Sequence, residues 1–149
     1  MDTEYFKHIE PRDAFSGGRT KAFKLYYKVD ESKWEEINYI DITSFYPYIN
    51  YTGKYPIGEP PIIKNDFDYS LKSYYGFVKC RVIPPEKLYI PVLWHHDVDN
   101  ENKLIFDIKE KTKTWATPEL IKAIEKGYII DKIYEVWDFK QTSTELFKR

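Results

Sequence analysis

Short stretches rich in apolar and aromatic residues, separated by polar turns, recur along the chain, and this pattern predicts a protein built mainly from β-strands. The stretches with this pattern are residues 22–29, 37–42, 74–83, 89–94, 103–108 and 128–139. Only a short polar turn separates the first two, so we expect them to pair as a hairpin. A polar turn over residues 97–102 separates the fourth and fifth stretches in the same way.

Two short segments have the pattern of helices. Residues 118–126 are the clearer case, because Thr117 suits the N-cap and Gly127 suits the end of a helix. Residues 44–51 predict a second helix, in which Pro47 is tolerated only within the first turn. Short helices placed irregularly among strands predict an α+β fold with a mixed or antiparallel sheet and a few short helices.

Composition narrows the possible classes of protein. The chain has 149 residues, of which 42% are hydrophobic and 32% are charged, so we expect it to fold around a real core. Its net charge of -1 does not indicate a general binder of nucleic acid or membranes, although a local basic face is compatible with it. Cys80 is the single cysteine, which excludes an internal disulfide and fits a reducing compartment.

The sequence also predicts an intracellular protein without a membrane partner. It contains no apolar run of about 18 residues, the length that indicates a membrane-spanning helix. The amino-terminal segment MDTEYFKHIEP is charged and lacks the apolar centre of a secretory signal.

The segment YIDITSFYP, at residues 39–47, places Asp41 where a predicted strand ends and a predicted helix is about to begin. A carboxylate in that position is held by the sheet but reached by solvent, which suits a hard cation such as Mg²⁺. The first N–H groups of the following helix favour phosphate. Together they suit phosphoryl or nucleotidyl transfer. From the local pattern alone, an ordinary strand-to-helix corner with Asp41 accepting helix N–H groups is the commoner explanation.

Four motifs in one order resemble those of protein-primed family B DNA polymerases of bacteriophages, linear plasmids, organelles and viruses. DITSFYP at 41–47 is similar to the first palm motif, D-x-x-S-L-Y-P, and AFSGGR at 14–19 resembles the preceding aromatic-x-Gly-Gly motif. KYPIGEP at 54–60 resembles the YP-x-G-x-P stretch that follows in protein-primed members, and residues 114–140 are similar to the first insertion into their palm. The resemblance therefore implies a partial polymerase palm, its front half, with an inserted subdomain.

The resemblance implies a metal-binding and nucleotide-binding role for the first palm motif. Asp41 matches the first metal-binding carboxylate, and Ile42 matches the residue whose backbone carbonyl also meets the metal. The ion would be Mg²⁺ or Mn²⁺, bound only in the complete enzyme. Tyr46 matches the aromatic residue that stacks under the sugar and excludes a 2′-hydroxyl group. The whole nucleotide-binding segment comprises Ile42, Thr43, Ser44, Phe45 and Tyr46, with backbone amides approaching the triphosphate at the middle three.

The resemblance also implies a DNA-binding loop at the Gly-Gly motif. Two glycines allow the backbone to come close to a DNA phosphate, and an arginine adds charge. The implied DNA contacts are Phe15, Ser16, Gly17, Gly18 and Arg19, together with Ser44. Phe15 stands where the family usually has tyrosine, so stacking is retained while one hydroxyl contact is lost.

The chain departs from the family pattern in what it lacks. It has neither the aromatic-x-D-T-D motif that supplies the second carboxylate nor the K-x-x-x-N-S-x-Y-G helix that supplies a lysine for the triphosphate. The implied organisation is a palm portion at 1–53, an insertion-like subdomain at 54–140 and a polar tail at 141–149. The implied partners are a DNA primer and template, a deoxynucleoside triphosphate, a terminal priming protein and the rest of the palm.

Two further functions stay open beside the polymerase palm. One is a non-catalytic module that keeps the palm-derived fold and binds DNA or a replication protein. The other is a metal-dependent nuclease or phosphatase that uses Asp41, for which the sequence offers no convincingly spaced second acid.

The segment WHHDVDNEN at 94–102 contains several residue types that bind metals. Adjacent residues of a strand point to opposite faces, so His95 and His96 do not easily share one ion. A polar hairpin loop is therefore the favoured interpretation of this segment.

Four other features are interpreted as structural. Cys80 is expected to be a packed thiol, and His8 is expected to be solvated. The basic run at 109–113 predicts a solvated turn, with phosphate contact as the alternative. Asp66 and Asp68 are interpreted as surface charges.

Overall fold

The computed structural model describes residues 7–148, and the chain divides into two compact units. The sheet unit comprises Met1–Gly17 and Tyr55–Ser143, and the helix unit comprises Gly18–Lys54 and Thr144–Arg149. Within the described residues the strands are β1 (Tyr55–Ile57), β2 (Ile62–Ile63), β3 (Gly76–Ile83), β4 (His95–Asp97), β5 (Lys103–Ile105), β6 (Lys111–Ala116), β7 (Ile129–Asp138) and β8 (Gln141–Ser143). The helices are α1 (Phe45–Thr52) and α2 (Thr117–Glu125), with 3-10 turns at Pro11–Ala14 and Glu31–Lys33.

The main sheet of the sheet unit has four strands in the order β2-β7-β3-β6, and every neighbouring pair is antiparallel. β1 pairs with β8, and β4 pairs with β5 as a hairpin. The predicted α+β fold with a few short helices is confirmed, and all of its ladders are antiparallel.

One face of the main sheet forms the core of the unit. Apolar residues alternate along β3, so that Val78, Cys80 and Val82 are fully buried on the same side. Val78 pairs directly with Trp115 of β6 and with Val136 of β7, and both of these side chains are also fully buried. Helix α2 adds Leu120 and Ala123 to the same cluster. The expectation that Cys80 is a packed thiol is confirmed, and burial raises the pKa of that thiol.

Helix α2 begins one residue earlier than the sequence predicts. Thr117 is the first helical residue, and Ala116 occupies the N-cap position without a side-chain bond. The Thr117 hydroxyl instead accepts a hydrogen bond of 3.1 Å from the N–H of Gly76. The predicted cap therefore ties the start of α2 to the start of β3.

The opposite face of the sheet carries the amino-terminal strap, defined here as residues 7–15. Phe77 pairs with Trp137, and Lys79 pairs with Glu135, so these four side chains stand on the face opposite to Val78. Ile9 and Ala14 are buried in a second apolar cluster with Phe77, packed against Trp137 and Phe139. The main sheet is therefore covered on both sides.

The helix unit contains little regular structure apart from α1. The predicted strands 22–29 and 37–42 do not form, and neither does the predicted hairpin. An isolated two-stranded hairpin is marginally stable in water, and these segments have no third strand to extend them within the described residues. Leu25, Tyr39 and Ile40 are largely exposed, so the apolar pattern that predicted the strands is not buried here.

Two further strand predictions need correction. Residues 89–94 are irregular, because Pro91 interrupts them and the Val92 N–H donates to the Tyr128 hydroxyl instead of a ladder partner. The stretch 103–108 is a strand only over Lys103–Ile105, which pairs with His95–Asp97.

The basic run at 109–113 is not the solvated turn that was predicted. Its second half begins β6, where Lys111 is buried with its ammonium group donating to the carbonyls of Asp107 and Lys109. Lys113 is half-buried, with its ammonium nitrogen 3.5 Å from the centre of the Trp94 ring. The ammonium groups of these two lysines therefore contact residues of the sheet unit.

Candidate functional site

Asp41 lies in irregular backbone just before the turn that starts α1, and its side chain is exposed. The expectation that it ends a strand is wrong for this structure. It makes no hydrogen bond or ion pair with any described residue, and the N-cap of α1 is Ser44 without a side-chain bond. The alternative, in which Asp41 accepts N–H groups of the helix, is therefore not observed, and both carboxylate oxygens face solvent.

A tight turn fixes the backbone between Asp41 and α1. The N–H of Phe45 donates to the carbonyl of Ile42 at 3.2 Å, and Ser44 adopts a left-handed conformation with φ of 57°. The N–H of Tyr48 then donates to the Ser44 carbonyl, which starts the helical pattern. Pro47 is the third helical residue, so the prediction that it lies in the first turn is confirmed.

Several amide donors of this turn have no acceptor in the described part of the chain. They are the N–H groups of Thr43, Ser44 and Tyr46. The N–H of Phe45, one of the predicted donors, is occupied by the Ile42 carbonyl instead. The open donors lie beside the exposed Asp41, where a phosphate and a cation can be bound together.

A shallow depression of about 350 Å³ contains Asp41 and two of these donor residues, and it is lined by Asp41, Ile42, Ser44, Phe45, Tyr46 and Pro47. The Tyr46 ring is 78% exposed and lies 6.3 Å from the Phe45 ring, centre to centre. A neighbouring depression of about 600 Å³ is lined by Ile42, Thr43, Ser44, Phe45, Tyr48 and Tyr51. Tyr48 and Tyr51 were not among the predicted site residues, although their spacing of three places them on one side of α1.

The Gly-Gly motif reaches the same site from a distant part of the sequence. A Cβ added to Gly18 would lie 3.8 Å from the Tyr46 hydroxyl oxygen, whereas one added to Gly17 would meet nothing within 4 Å. Arg19 follows and is half-buried. Within the helix unit, the first palm-like motif and the second half of the Gly-Gly motif therefore lie together.

The first half of the Gly-Gly motif belongs to the sheet unit. Phe15 packs edge-on against Phe77, with ring centres 5.5 Å apart, while 61% of its surface stays exposed. The Ser16 hydroxyl donates to the Gly17 carbonyl at 3.1 Å. Phe15 therefore offers an aromatic surface that is anchored on one edge only.

The donors present fit part of a site for a divalent cation. A carboxylate at Asp41 and a carbonyl at Ile42 are hard oxygen ligands of the kind that Mg²⁺ binds. The Ile42 carbonyl accepts one hydrogen bond and keeps a second lone pair. No group of three or more histidine, cysteine or acidic side chains that could hold a metal occurs among residues 7–148. Further ligands for an ion at Asp41 must come from substrate phosphate, water or groups outside these residues.

The histidine-rich segment at 94–102 forms a hairpin, as favoured from the sequence. His95 and His96 lie in β4, before the turn, where their side chains point in different directions. His96 faces the carbonyl of Asn102 at 2.9 Å, and the His95 ring nitrogen lies 3.9 Å from Asp107. The contact of His96 accounts for one nitrogen of that ring, whereas His95 Nδ1 is buried and has no hydrogen-bond partner among the described residues.

Two side chains interpreted as solvated have specific partners. His8 Nδ1 lies 2.8 Å from a Glu135 carboxylate oxygen, so it is paired even though the ring is largely exposed. Asp68 is half-buried and accepts hydrogen bonds from the Ser70 N–H and the Ser73 hydroxyl. Asp66 is exposed, as predicted. Neither helix of the described residues has the length and apolar character needed to cross a membrane.

This geometry brings together one exposed carboxylate, open amide donors and an exposed tyrosine beside a glycine. The family model for DNA polymerase type B, organellar and viral, matches residues 1–149. The chain therefore belongs to that family of DNA polymerases. Comparison with curated proteins found no match, and neither did comparison with solved structures. Membership implies DNA template and primer, deoxynucleoside triphosphates and a divalent metal as partners of the full enzyme.

Proposed function

We propose that this chain supplies the first metal-binding carboxylate and the sugar-selecting tyrosine of a protein-primed type B DNA polymerase. The observation that carries the proposal is the grouping of an unengaged Asp41, the open amides at Thr43 and Ser44, and the exposed ring of Tyr46. Each of these groups matches a need of nucleotidyl transfer: a ligand for the metal, donors for the triphosphate and a surface for the sugar.

Each residue of the site has a distinct task. Asp41 and the Ile42 carbonyl would hold the divalent cation, which when bound polarises the reacting phosphate and offsets its charge. The open amides at Thr43 and Ser44 bind the triphosphate oxygens and orient the nucleotide. Tyr46 packs against the sugar, where a 2′-hydroxyl group has no room. The second carboxylate of the reaction comes from elsewhere in the polymerase.

The surface of the helix unit supports a role within a larger palm. More than half of the large apolar side chains that are exposed among residues 7–148 lie within residues 23–51. Exposed apolar surface on this scale marks a surface that another segment covers. We propose that the rest of the palm packs on residues 22–42, where it completes the sheet that the apolar pattern predicts.

The remaining divisions of the chain take their roles from the same proposal. Residues 1–53 are the palm portion, residues 54–140 are an insertion that contacts template duplex and the terminal priming protein, and residues 141–149 are a polar tail. The chain is expected to be inactive alone. A non-catalytic module that binds DNA or a replication protein is the competing function.

Primer extension with Mg²⁺ or Mn²⁺, using the native-length polymerase that contains this chain, tests the proposal. Asp41→Asn keeps the size of the side chain but removes its charge. It is expected to lower nucleotide incorporation about 1,000-fold, because a metal-bound oxygen ligand is worth several kcal/mol to the transition state. DNA affinity, measured without metal, is expected to stay within about threefold of wild type.

Asp66→Asn is the matched control. Asp66 is an exposed carboxylate in a left-handed conformation, with φ of 55°, that asparagine also adopts readily. It is expected to leave incorporation unchanged. If Asp41→Asn synthesises DNA at the rate of Asp66→Asn, Asp41 is not a metal ligand, and the binding-module function is favoured.

A further inference from the structure

Glu135 of β7 is a buried carboxylate that the nucleotide site does not use. Its side chain is 8% exposed, and one carboxylate oxygen accepts hydrogen bonds from the Ile9 N–H at 3.0 Å and from the Trp137 indole N–H at 2.8 Å. The other oxygen lies 2.8 Å from His8 Nδ1, which must be the donor because an ionised carboxylate can only accept. Two of these three contacts are to the amino-terminal strap.

Strand β3, next to β7 in the sheet, also holds the strap. Lys79 of β3 pairs directly with Glu135 in the ladder, and its ammonium group donates to the Lys7 carbonyl at 2.7 Å. Polar groups of two neighbouring strands therefore hold residues 7–9. Beyond them, Ile9 and Ala14 are buried, and Phe15 packs on Phe77.

The anchored segment leads directly into the Gly-Gly motif. Ser16 and Gly17 follow Phe15 without an intervening turn, so the position of the strap sets where the motif leaves the sheet unit. Hydrogen bonds to a buried charged group are among the stronger ones in proteins, which makes Glu135 the main polar anchor.

We propose that Glu135 is a positioning residue for DNA binding: by holding the strap it presents Phe15, Ser16 and Gly17 to the DNA backbone in a fixed arrangement. This inference rests on the proposed DNA-binding role of that loop. Glu135 does not touch DNA or nucleotide, and it acts through the Ile9 N–H and the packing that follows it. Without the anchor, the loop must be ordered at the moment of binding, which weakens affinity.

Glu135→Ala tests the proposal, with Asp131→Ala as the matched control. Both remove one negative charge from β7, and Asp131 is exposed. Charge loss alone favours binding of a polyanion, so Asp131→Ala is expected to leave the DNA Kd unchanged or slightly lower. Glu135→Ala is expected to raise that Kd about tenfold, a change opposite in sign to the charge effect.

Hydrogen exchange measured by mass spectrometry tests whether loosening of the strap causes the higher Kd. Glu135→Ala is expected to speed amide exchange across residues 7–16 while β3 and β6 keep their protection. In the native-length polymerase, kcat at saturating DNA is expected to stay at the wild-type value, because the reacting groups are untouched. Glu135→Gln keeps one acceptor for the Ile9 N–H, so an intermediate Kd is expected.

His8→Ala is a milder variant that remains informative if Glu135→Ala fails to fold. It leaves the Ile9 and Trp137 bonds in place, and it is expected to speed strap exchange and raise the DNA Kd by a smaller factor. Unchanged strap exchange in Glu135→Ala overturns the anchoring role. Faster exchange with an unchanged Kd overturns the link to DNA. In that case Arg19→Ala shows whether the loop binds DNA at all. An unchanged DNA Kd in Arg19→Ala would mean that the loop does not have the proposed DNA-binding function.

Discussion

A Cβ added to Gly18 would lie 3.8 Å from the hydroxyl oxygen of Tyr46, so the Gly-Gly motif and the first palm motif meet at one tyrosine. Tyr46 is the residue proposed to lie against the incoming sugar. On one side, the space next to its hydroxyl group is bounded by Gly18, which has no side chain. This contact connects two roles that the motifs assign separately, namely DNA binding and selection of the sugar.

Enlarging Gly18 is therefore expected to change sugar selection. Alanine places its Cβ in ordinary contact and should have little effect, whereas the branches of valine reach the Tyr46 hydroxyl and displace the ring. The ratio of deoxynucleotide to ribonucleotide incorporation is expected to fall about tenfold in Gly18→Val. Gly17→Val is the control, because a Cβ there meets nothing within 4 Å. An equal change in both variants would remove the role assigned to the Gly18–Tyr46 contact.

Removing the Tyr46 ring is expected to admit ribonucleotides directly. Tyr46→Val leaves space where the ring excludes a 2′-hydroxyl group, so ribonucleotide incorporation should rise about 100-fold relative to deoxynucleotide. Tyr48→Val, two residues along α1, removes an equally large exposed ring that points to another side of the helix. Competition between the two nucleotide types measures the ratio. If discrimination stays at the wild-type value in Tyr46→Val, Tyr46 does not contact the sugar.

Arg19→Ala is expected to weaken DNA binding through loss of one phosphate contact. The slope of log Kd against log salt concentration should decrease by about one, since each neutralised phosphate contributes about that amount. Lys28→Ala removes an exposed positive charge from the same unit and serves as the control. Fluorescence anisotropy at several salt concentrations gives both slopes. Identical slopes for Arg19→Ala and wild type would show that Arg19 does not meet a phosphate.

Gly76→Ala is expected to destabilise the sheet unit. A Cβ at Gly76 would lie 2.1 Å from the Trp137 carbonyl oxygen and 2.9 Å from the Phe139 ring, so β3 and β7 must separate to accept it. Overpacking of this kind costs about 1–3 kcal/mol of unfolding free energy. Urea unfolding followed by tryptophan fluorescence measures the loss, and Gly17→Ala, which has open space around it, should unfold like wild type. Equal stability of both variants would mean that the strands adjust without cost.

The parts of the fold that could be predicted are those whose signals lie within the element itself or in its neighbouring residues. Helix α2 has a proline near its start and a glycine after its end, and β3 alternates between buried and half-buried residues from Val78 onward, so both were found nearly to the residue. Strand β6, with the sequence KTKTWA, was missed because a buried lysine at its start imitates a polar turn. A strand at 22–29 was predicted from its apolar and aromatic residues, but a strand also requires a neighbour.

The candidate site likewise has a part that could be predicted from local sequence and a part that could not. Asp41 and Tyr46 could be proposed from the sequence because the motif that contains them is contiguous. The anchor at Glu135 was not predictable, since His8 and Glu135 are 127 residues apart and only the folded sheet brings them together. Local patterns therefore supplied the candidate residues of the site, whereas the contacts that support them required the structure.

Asp68 gives a prediction for pH. The hydroxyls of Ser70 and Ser73 and the Ser70 N–H hold the pKa of Asp68 at about 2, below its ordinary value of 3.8. The Asp68 N–H also donates to the Tyr74 hydroxyl, which closes a loop around Leu71, a fully buried residue in a left-handed conformation. The ionised carboxylate is therefore part of the structure that places Leu71 in the core.

The stabilising contribution of a carboxyl group with a lowered pKa is fully present above the ordinary value and is lost as pH falls through the lowered one. We therefore expect the loop at residues 68–74 to be held at pH 5 and to loosen as pH falls from about 4 towards 2. An NMR titration of the side-chain carboxyl carbons should give a midpoint for Asp68 below its ordinary value of 3.8. Asp68→Asn should lower thermal stability at pH 7, and its deficit relative to wild type should shrink in acid, whereas Asp66→Asn should match wild type throughout. A midpoint for Asp68 at or above 3.8 would show that the serine hydrogen bonds do not hold this loop.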